Sequence, residues 1–521
     1  MQKNVIIGIG GTGARVIESA IHLCAAGLGP SELNIIIIDP DEANGNLTHT
    51  KSLIKEYVEL RKKFKNKGDN TLFKTNIVIS PSGKFVWNIF QEKDSTLGKY
   101  MNYDNLKKNN QTLSDFAEIL FTEKELNTGL NEGFRGHPSI GAVVMADPPM
   151  DEYPFKLLWD DISTLSANDL RVFIVGSIFG GTGAAGFPTI GSRPLIKFNE
   201  KFNATLGGGK SRVLLGGALV LPYFSFSTDS EVDEPMFVTT NDFPIATKAA
   251  LQYYNDKELG FDQYYFIGDS LAQKVGNFST GSATQDNYPH YIEMVSAIAS
   301  FDFFNQPKID DIPDKKYFIA CREMESVDWS MLPLTRDNDK LQEERDRFKQ
   351  KVSDFTIFAY TYLAYGKGII AQKHQDVLAE AWYSENFKKN FKESDVQANP
   401  RYGENTDLFE VAENYFKDFL FWICSIDKNE NAHLIDSNNL LEGDLDIKDR
   451  KEIKLKDPTK FKSNIGQIIV ERNSGLNFDA FKTRCLQETI IDDKTMYAGN
   501  RFLNIFYEAS KKFNKINRVI K

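Results

Sequence analysis

Two glycine-rich turns hold the residues best suited to chemistry. Gly8-Ile9-Gly10-Gly11-Thr12-Gly13 fits GxGxxG, and Phe179-Gly180-Gly181-Thr182-Gly183-Ala184-Ala185-Gly186 is a second run of the same kind. Glycines at this spacing let a backbone approach a pyrophosphate closely, and the N–H groups at a helix start favour its negative charge. The first pattern alone is weakly specific, because it recurs in several nucleotide folds. With Asp39 at the end of the next strand it would suggest NAD, the acid taking a ribose hydroxyl. A dinucleotide fold needs only one such loop. The second, with Gly180 lying 170 residues after Gly10, implies phosphates gripped by two helix N-termini on neighbouring strands. The plain alternative for 180–186 is a turn that lets a helix pack closely on a strand.

The elements that must position these turns follow from hydrophobic pattern. Val5 to Ile9 reads as a buried strand, Ala14 to Ala26 as a helix and Asn34 to Ile38 as a second strand ending at Asp39-Pro40. Continuous apolar runs without alternation mark parallel strands covered on both faces, so the chain opens with a βαβ unit. Residues 50–131, polar and rich in Lys and Asn, read as an insertion. The α/β rhythm then returns with a helix start at Gly136 to Met145, strands at 171–177, 213–221 and 263–267, and a helix over 243–254. Tyr288 to Phe304 is expected to be a helix capped by Asp286 or Asn287, with Pro289 in its first turn. Residues 336–352 form a charge-dense, solvated helix, and 353–521 carry long helical patterns. The fold class is therefore α/β: a doubly wound, Rossmann-like nucleotide-binding domain over 1–305, then a helix-rich α+β second domain over 306–521. The boundary is placed between Gln306 and Lys315.

Here the sequence resembles a known family. Gly180-Gly181-Thr182-Gly183-Ala184-Ala185-Gly186 looks like the GGGTGT/SG signature of tubulin/FtsZ-like proteins, and GIGGTGAR, from Gly8 to Arg15, is similar to their first phosphate loop. Gly136-His137-Pro138-Ser139-Ile140-Gly141 resembles their NPxxG loop by the terminal phosphate, and Asp39 to Ala43 their second-strand loop. All four fall in family order across roughly residues 1–305, nearer to divergent bacterial tubulin-like proteins than to FtsZ or tubulin. The resemblance implies GTP or GDP with Mg²⁺, contacted by Gly10, Gly11, Thr12, Arg15, Asp39, Gly136, His137, Pro138, Gly180, Gly181, Thr182 and Gly183. In the family an aromatic residue on the central helix stacks on guanine, and polar groups four and five residues later read its edge. Tyr288 matches the first, and Glu293 falls where FtsZ-like chains place an Asp; the intervening Asn is Ile292. A carboxylate accepts from guanine N1–H and its amino group together, which adenine cannot offer. The alternative is a core tyrosine and a surface glutamate.

The resemblance also implies head-to-tail filaments, with hydrolysis completed in trans by an acidic NxDxxD loop. The nearest segment is Glu325 to Met331, where Asp328 matches the first acid while Ser326 and Met331 replace the Asn and the second acid. Asp328 is thus either a catalytic acid or a turn residue before a helix. His137 and Ser139 also depart from the NPxxG loop, and the helical second half differs from the family's. A GTP-dependent scaffold or sensor that binds a partner protein without polymerising is the second reading. An NAD-dependent oxidoreductase is the third, and it leaves the 136–141 and 180–186 loops unexplained.

Composition narrows the rest. A net charge of −10 argues against nucleic acid as a general partner. No apolar run reaches the roughly 18 residues of a membrane span, and no signal peptide is evident, so the expected location is cytoplasmic. Cys24, Cys321, Cys424 and Cys485 form no CxxC and read as reduced thiols. Leu206 to Ser211 mimics a Walker A tail but leads into a strand, so it reads as a turn. The basic stretch from Lys511 to Arg518 reads as a terminal helix end.

Overall fold

Strands made from uninterrupted apolar runs form the centre of the molecule. The computed structural model describes residues 2–64, 72–88, 95–130, 134, 137–160, 170–191, 195, 197–198, 200, 213–227, 242–257, 259–270, 273–277, 285–306, 316–334, 339–387, 392, 394–459, 465–470, 477–487 and 497–512. One sheet contains β1 (Lys3–Ile9), β2 (Glu32–Ile38), β3 (Asn76–Val78), β4 (Val86–Trp87), β5 (Leu170–Ser177), β6 (Val213–Val220), β7 (Gln263–Asp269) and β8 (Lys316–Arg322). The order is β8-β7-β6-β5-β1-β2-β3, with β4 also on β2, and every pairing is parallel.

Alternate residues of these strands enter two different cores. Ile6, Ile35, Ile37, Phe173 and Val175 face one, and Val5, Ile7, Ile36, Ile38, Val172 and Ile174 the other. Burial on both faces is why the strands read as solid apolar runs. On the first face lie α1 (Gly10–Ala25) and α2 (Gly45–Lys63). On the second lie α3 (Pro138–Val144) and α4 (Gly181–Gly191). α5 (Phe243–Lys257) sends Tyr254 into the second core, and α6 (Tyr291–Phe304) packs into the first. The architecture is the doubly wound α/β class expected from the sequence.

Two organisational details differ from the sequence reading. Within 50–131, β3 and β4 extend the main sheet beyond β2, so this stretch is partly sheet edge. β8, past the expected boundary, pairs along its whole length with β7 and belongs to the same sheet. The turn expected at 206–211 lies outside the described residues.

The second half is built on α7 (Leu341–Thr361), α8 (Glu404–Glu430) and α9 (Ala498–Lys512). Edge-to-face rings fill the space between them: Phe355 to Phe419 at 4.5 Å and Phe358 to Phe416 at 4.9 Å between centroids. This half also covers the outer side of α1. Every residue of α1 except Gly11 is buried, Arg15, Glu18 and His22 included. Trp422 Nε1 donates to Ser19 Oγ at 3.0 Å, and the Tyr415 hydroxyl donates to the Ile21 carbonyl at 3.2 Å. No described helix is long and apolar enough to cross a membrane.

Candidate nucleotide site

The strand order creates the site. From β1 the chain moves outward through β2 and β3, then returns to β5 on the other side of β1. The helices that follow β1 and β5 consequently leave toward opposite faces of the sheet. Open α/β sheets bind their ligands at such a point, in the crevice beyond the carboxyl ends of the strands. Both glycine turns lie at this switch point.

The two turns touch. Gly10, the first residue of α1, has φ +70°, and a Cβ there would sit 3.2 Å from Thr182 Cβ and 3.6 Å from Gly183 N. A side chain at Gly10 would be strained and would press on the other loop. At Gly183 a Cβ would collide with the Ser177 carbonyl. Glycine therefore allows two helix starts to converge. α1 has no side-chain N-cap and no acid in its first turn, and α4 has no acid in its first turn. Amide N–H groups at such ends are matched to an anion. Gly180 sits beside the Ser177 hydroxyl, 3.2 Å from its would-be Cβ.

The third motif flanks the second. Pro138 opens α3 after His137, and Gly141 meets Ala185 of α4, with 2.5 Å between its would-be Cβ and the Ala185 Cβ. His137 Nδ1 lies 3.5 Å from Glu125 Oε1. Gly136 lies outside the described residues. Asp39 directly follows β2 and is buried; its Oδ1 accepts from Asp41 N at 3.0 Å. Burial pushes its carboxyl up to about 7, with the nearby Asp41 charge adding and the Asp41 N–H bond subtracting.

Tyr288 and Glu293 are placed differently from expectation. Helix α6 begins at Tyr291, capped by His290, whose Nδ1 accepts from Ile292 N at 3.1 Å. Asp286 and Asn287 are not its caps, and Pro289 precedes it. Tyr288 is consequently off the helix. Its ring stacks on Phe421 of α8 at 5.9 Å and 13°, its hydroxyl donates to the Leu445 carbonyl at 3.1 Å, and it accepts from Ile447 N at 3.1 Å. Proline after Tyr288 disfavours a helical conformation there.

Glu293 is buried rather than exposed to the crevice. Its Oε1 pairs with Arg15 Nε and accepts from the Tyr223 hydroxyl at 2.8 Å, and its Oε2 accepts from His290 N at 3.0 Å. Arg15 is equally enclosed, donating to Tyr223 at 2.5 Å and to Asn287 Oδ1 at 2.9 Å. Burial opposes its charge, but Glu293 and Tyr223 keep the guanidinium protonated. Arg15 and Glu293 thus complete each other, so neither presents a free charge to a ligand. Thr12 Oγ1 stands 3.5 Å from the same Tyr223 hydroxyl.

Two carboxamides that the sequence did not single out, Asn44 and Asn46, stand over Gly11, each bonded to a second carboxamide behind it. The Nδ2 atoms of Asn46 and Asn44 come within 3.6 Å and 3.8 Å of its would-be Cβ. Asn44 Nδ2 donates to Gln285 Oε1 at 2.7 Å, Asn46 Nδ2 to Asn287 Oδ1 at 3.1 Å, and Asn287 N to Asn46 Oδ1 at 3.0 Å. The sequence signal was the Asn44-Gly45-Asn46 triplet at the start of a helix; for Gln285 and Asn287, 241 residues away, there was none.

Asp328 follows β8 at the sheet edge, four strands from β1. It caps a short helical turn, accepting from Ser330 N at 2.7 Å and Ser330 Oγ at 2.5 Å. It is not among the groups gathered at the glycine turns of its own chain.

The sequence matches no family model and no curated protein. Among solved structures it is similar to CetZ2 from Haloferax volcanii, in a GTPgS-bound protofilament, at 14% identity and a TM-score of 0.25. The match covers 58% of this chain, which spans 58% of the length of that one.

Proposed function

We propose that this chain is a tubulin/FtsZ-like protein that binds a guanine nucleoside triphosphate in the crevice between β1 and β5. One observation carries the reading: two helix starts from adjacent parallel strands converge at Gly10 and Thr182. A single such start would suit a dinucleotide. Two give donors on both sides of a polyphosphate chain. Gly10, Gly11 and Thr12 would bind from one side and Gly180 to Gly183 from the other, with Pro138 and His137 toward the terminal phosphate. Guanine is assigned by the order of the motifs. Its contacts would come from the carboxamides over Gly11, since Glu293 is paired with Arg15. No trio of His, Cys, Asp or Glu among the described residues is arranged to hold a metal, so Mg²⁺ would take phosphate oxygens and water as ligands.

Assembly head to tail, with Asp328 completing hydrolysis on the next subunit, is the fuller form of this reading. The second reading, a nucleotide-dependent scaffold or sensor, is favoured by Asp328 acting as the cap of its own turn. Calorimetry with GTP, ATP and NAD in Mg²⁺, alongside light scattering, tests both. GTP-selective binding with rising scattering supports assembly, and binding without scattering supports the scaffold. Equal affinity for all three ligands removes the guanine assignment, and no binding overturns the proposal.

A further inference from the structure

The wall of carboxamides over Gly11 is fastened from outside by the second half of the chain. Residues 285–290 have no helix or strand of their own. Two guanidinium groups hold Asn287 in place. Arg15, from α1, donates to its side chain at 2.9 Å. Arg450, 7% exposed, comes from the short turn Ile447–Glu452 far along the sequence. It donates to the Asn287 carbonyl at 3.0 Å, to Asp286 Oδ1 at 3.0 Å and to Glu18 Oε1 of α1 at 2.9 Å. Its Cζ lies 5.1 Å from the centroid of the Phe421 ring, on which Tyr288 stacks. Burial works against ionising Glu18, yet Arg450 and His49 hold its carboxyl well below the usual range.

We infer that Arg450 is a positioning residue for the nucleotide site. This rests on the nucleotide reading above and says which part of the ligand Arg450 governs. Through Asn287 it sets the height of Asn46, whose amide stands beside Gly11. It touches neither glycine turn. Its loss would loosen the wall that meets the nucleoside while leaving both helix starts free to grip phosphates. A planar fork is needed to reach Glu18, Asp286 and the Asn287 carbonyl together, which an ammonium group cannot reproduce. Neighbouring Lys451 ties the same turn to Glu56 at 3.0 Å, to Asp418 and to the Asn414 carbonyl, and its ammonium bonds to none of the described residues 285–288. It separates fastening of the turn from positioning of the wall.

The test measures affinities of the full chain for GTP and for inorganic tripolyphosphate. Arg450→Ala and Arg450→Lys are compared with Lys451→Ala, each checked for folding by thermal melting. The expected result is about a tenfold loss of GTP affinity in Arg450→Lys, a larger one in Arg450→Ala, and tripolyphosphate affinity within twofold of the unaltered chain. Lys451→Ala lowers the melting temperature but leaves the ratio of the two affinities unchanged. Equal losses for GTP and tripolyphosphate, or no loss in the folded Arg450→Lys chain, overturn the inference while the nucleotide reading stands. Failure of the unaltered chain to bind GTP overturns both.

Discussion

At Gly10 and Glu293 the chemistry of single residues decides what the site is made of. Gly10→Ala forces an L-residue into a left-handed conformation, at roughly 1–2 kcal/mol, and pushes on Thr182. Nucleotide affinity measured by calorimetry should fall on the order of tenfold or more, with little change in the far-ultraviolet circular dichroism. Glu293→Gln has the opposite profile. It leaves Arg15 buried without its counter-charge, a loss of about 3–5 kcal/mol in denaturant unfolding. The preference for GTP over ATP should remain as it was, because the carboxylate faces Arg15 and Tyr223 rather than a ligand. A switch of preference toward ATP in that variant would show that Glu293 reads the base after all. Asp39 adds a pH signature. Its carboxyl titrates near 7 in the folded chain and near 3.8 when unfolded, so folding favours the protonated form. Its burial is best tolerated below pH 3.8 and becomes progressively destabilising as the pH rises to 7. Asp39→Asn should raise stability at pH 8 and leave it nearly unchanged at pH 4.

At the level of elements, the sequence was readable where local pattern and tertiary role coincide. β1, β2 and β5 are apolar runs because both faces of the sheet are covered. The glycine turns are recognisable because convergence of two helix starts demands glycine. The start of α6 was not readable. Tyr288-Pro289 looks like a first helical turn, yet the helix waits for His290, whose neutral ring supplies the cap. Nor could the sequence show that Arg15 and Glu293, 278 residues apart, neutralise each other, or that Tyr288 would find Phe421 in another helix. Long-range pairing leaves no local pattern. The His290 cap carries its own prediction. Burial depresses its pKa to about 3, and that of His22 likewise. Both stay neutral in the folded chain while the unfolded chain protonates them below about 6.5, so stability is present above that pH and declines as the pH falls toward 3. Urea midpoints between pH 7.5 and 5 should decrease, and His22→Phe should flatten the slope. An unchanged slope in that variant would exclude His22 as a contributor.

On the scale of the whole molecule, the second half completes the first. α1 carries one of the two glycine turns, and its outer side is covered by Tyr415, Phe419 and Trp422 around His22. Trp422→Ala empties a fully buried site and breaks the bond to Ser19, with an expected cost of about 3–5 kcal/mol. Because the cavity lies against α1, calorimetric GTP affinity should weaken together with the melting temperature. Loss of stability with affinity intact would show that α1 holds its turn without this support.

The separation between α1 and its cover has a consequence for how the protein is made. Ser19 leaves the ribosome 403 residues before Trp422. At about 5–20 residues per second, the apolar back of α1 stays uncovered for roughly 20–80 s on every round of synthesis. During that interval the nascent chain presents chaperones with a sheet-packed face on one side of α1 and an open hydrophobic seam on the other.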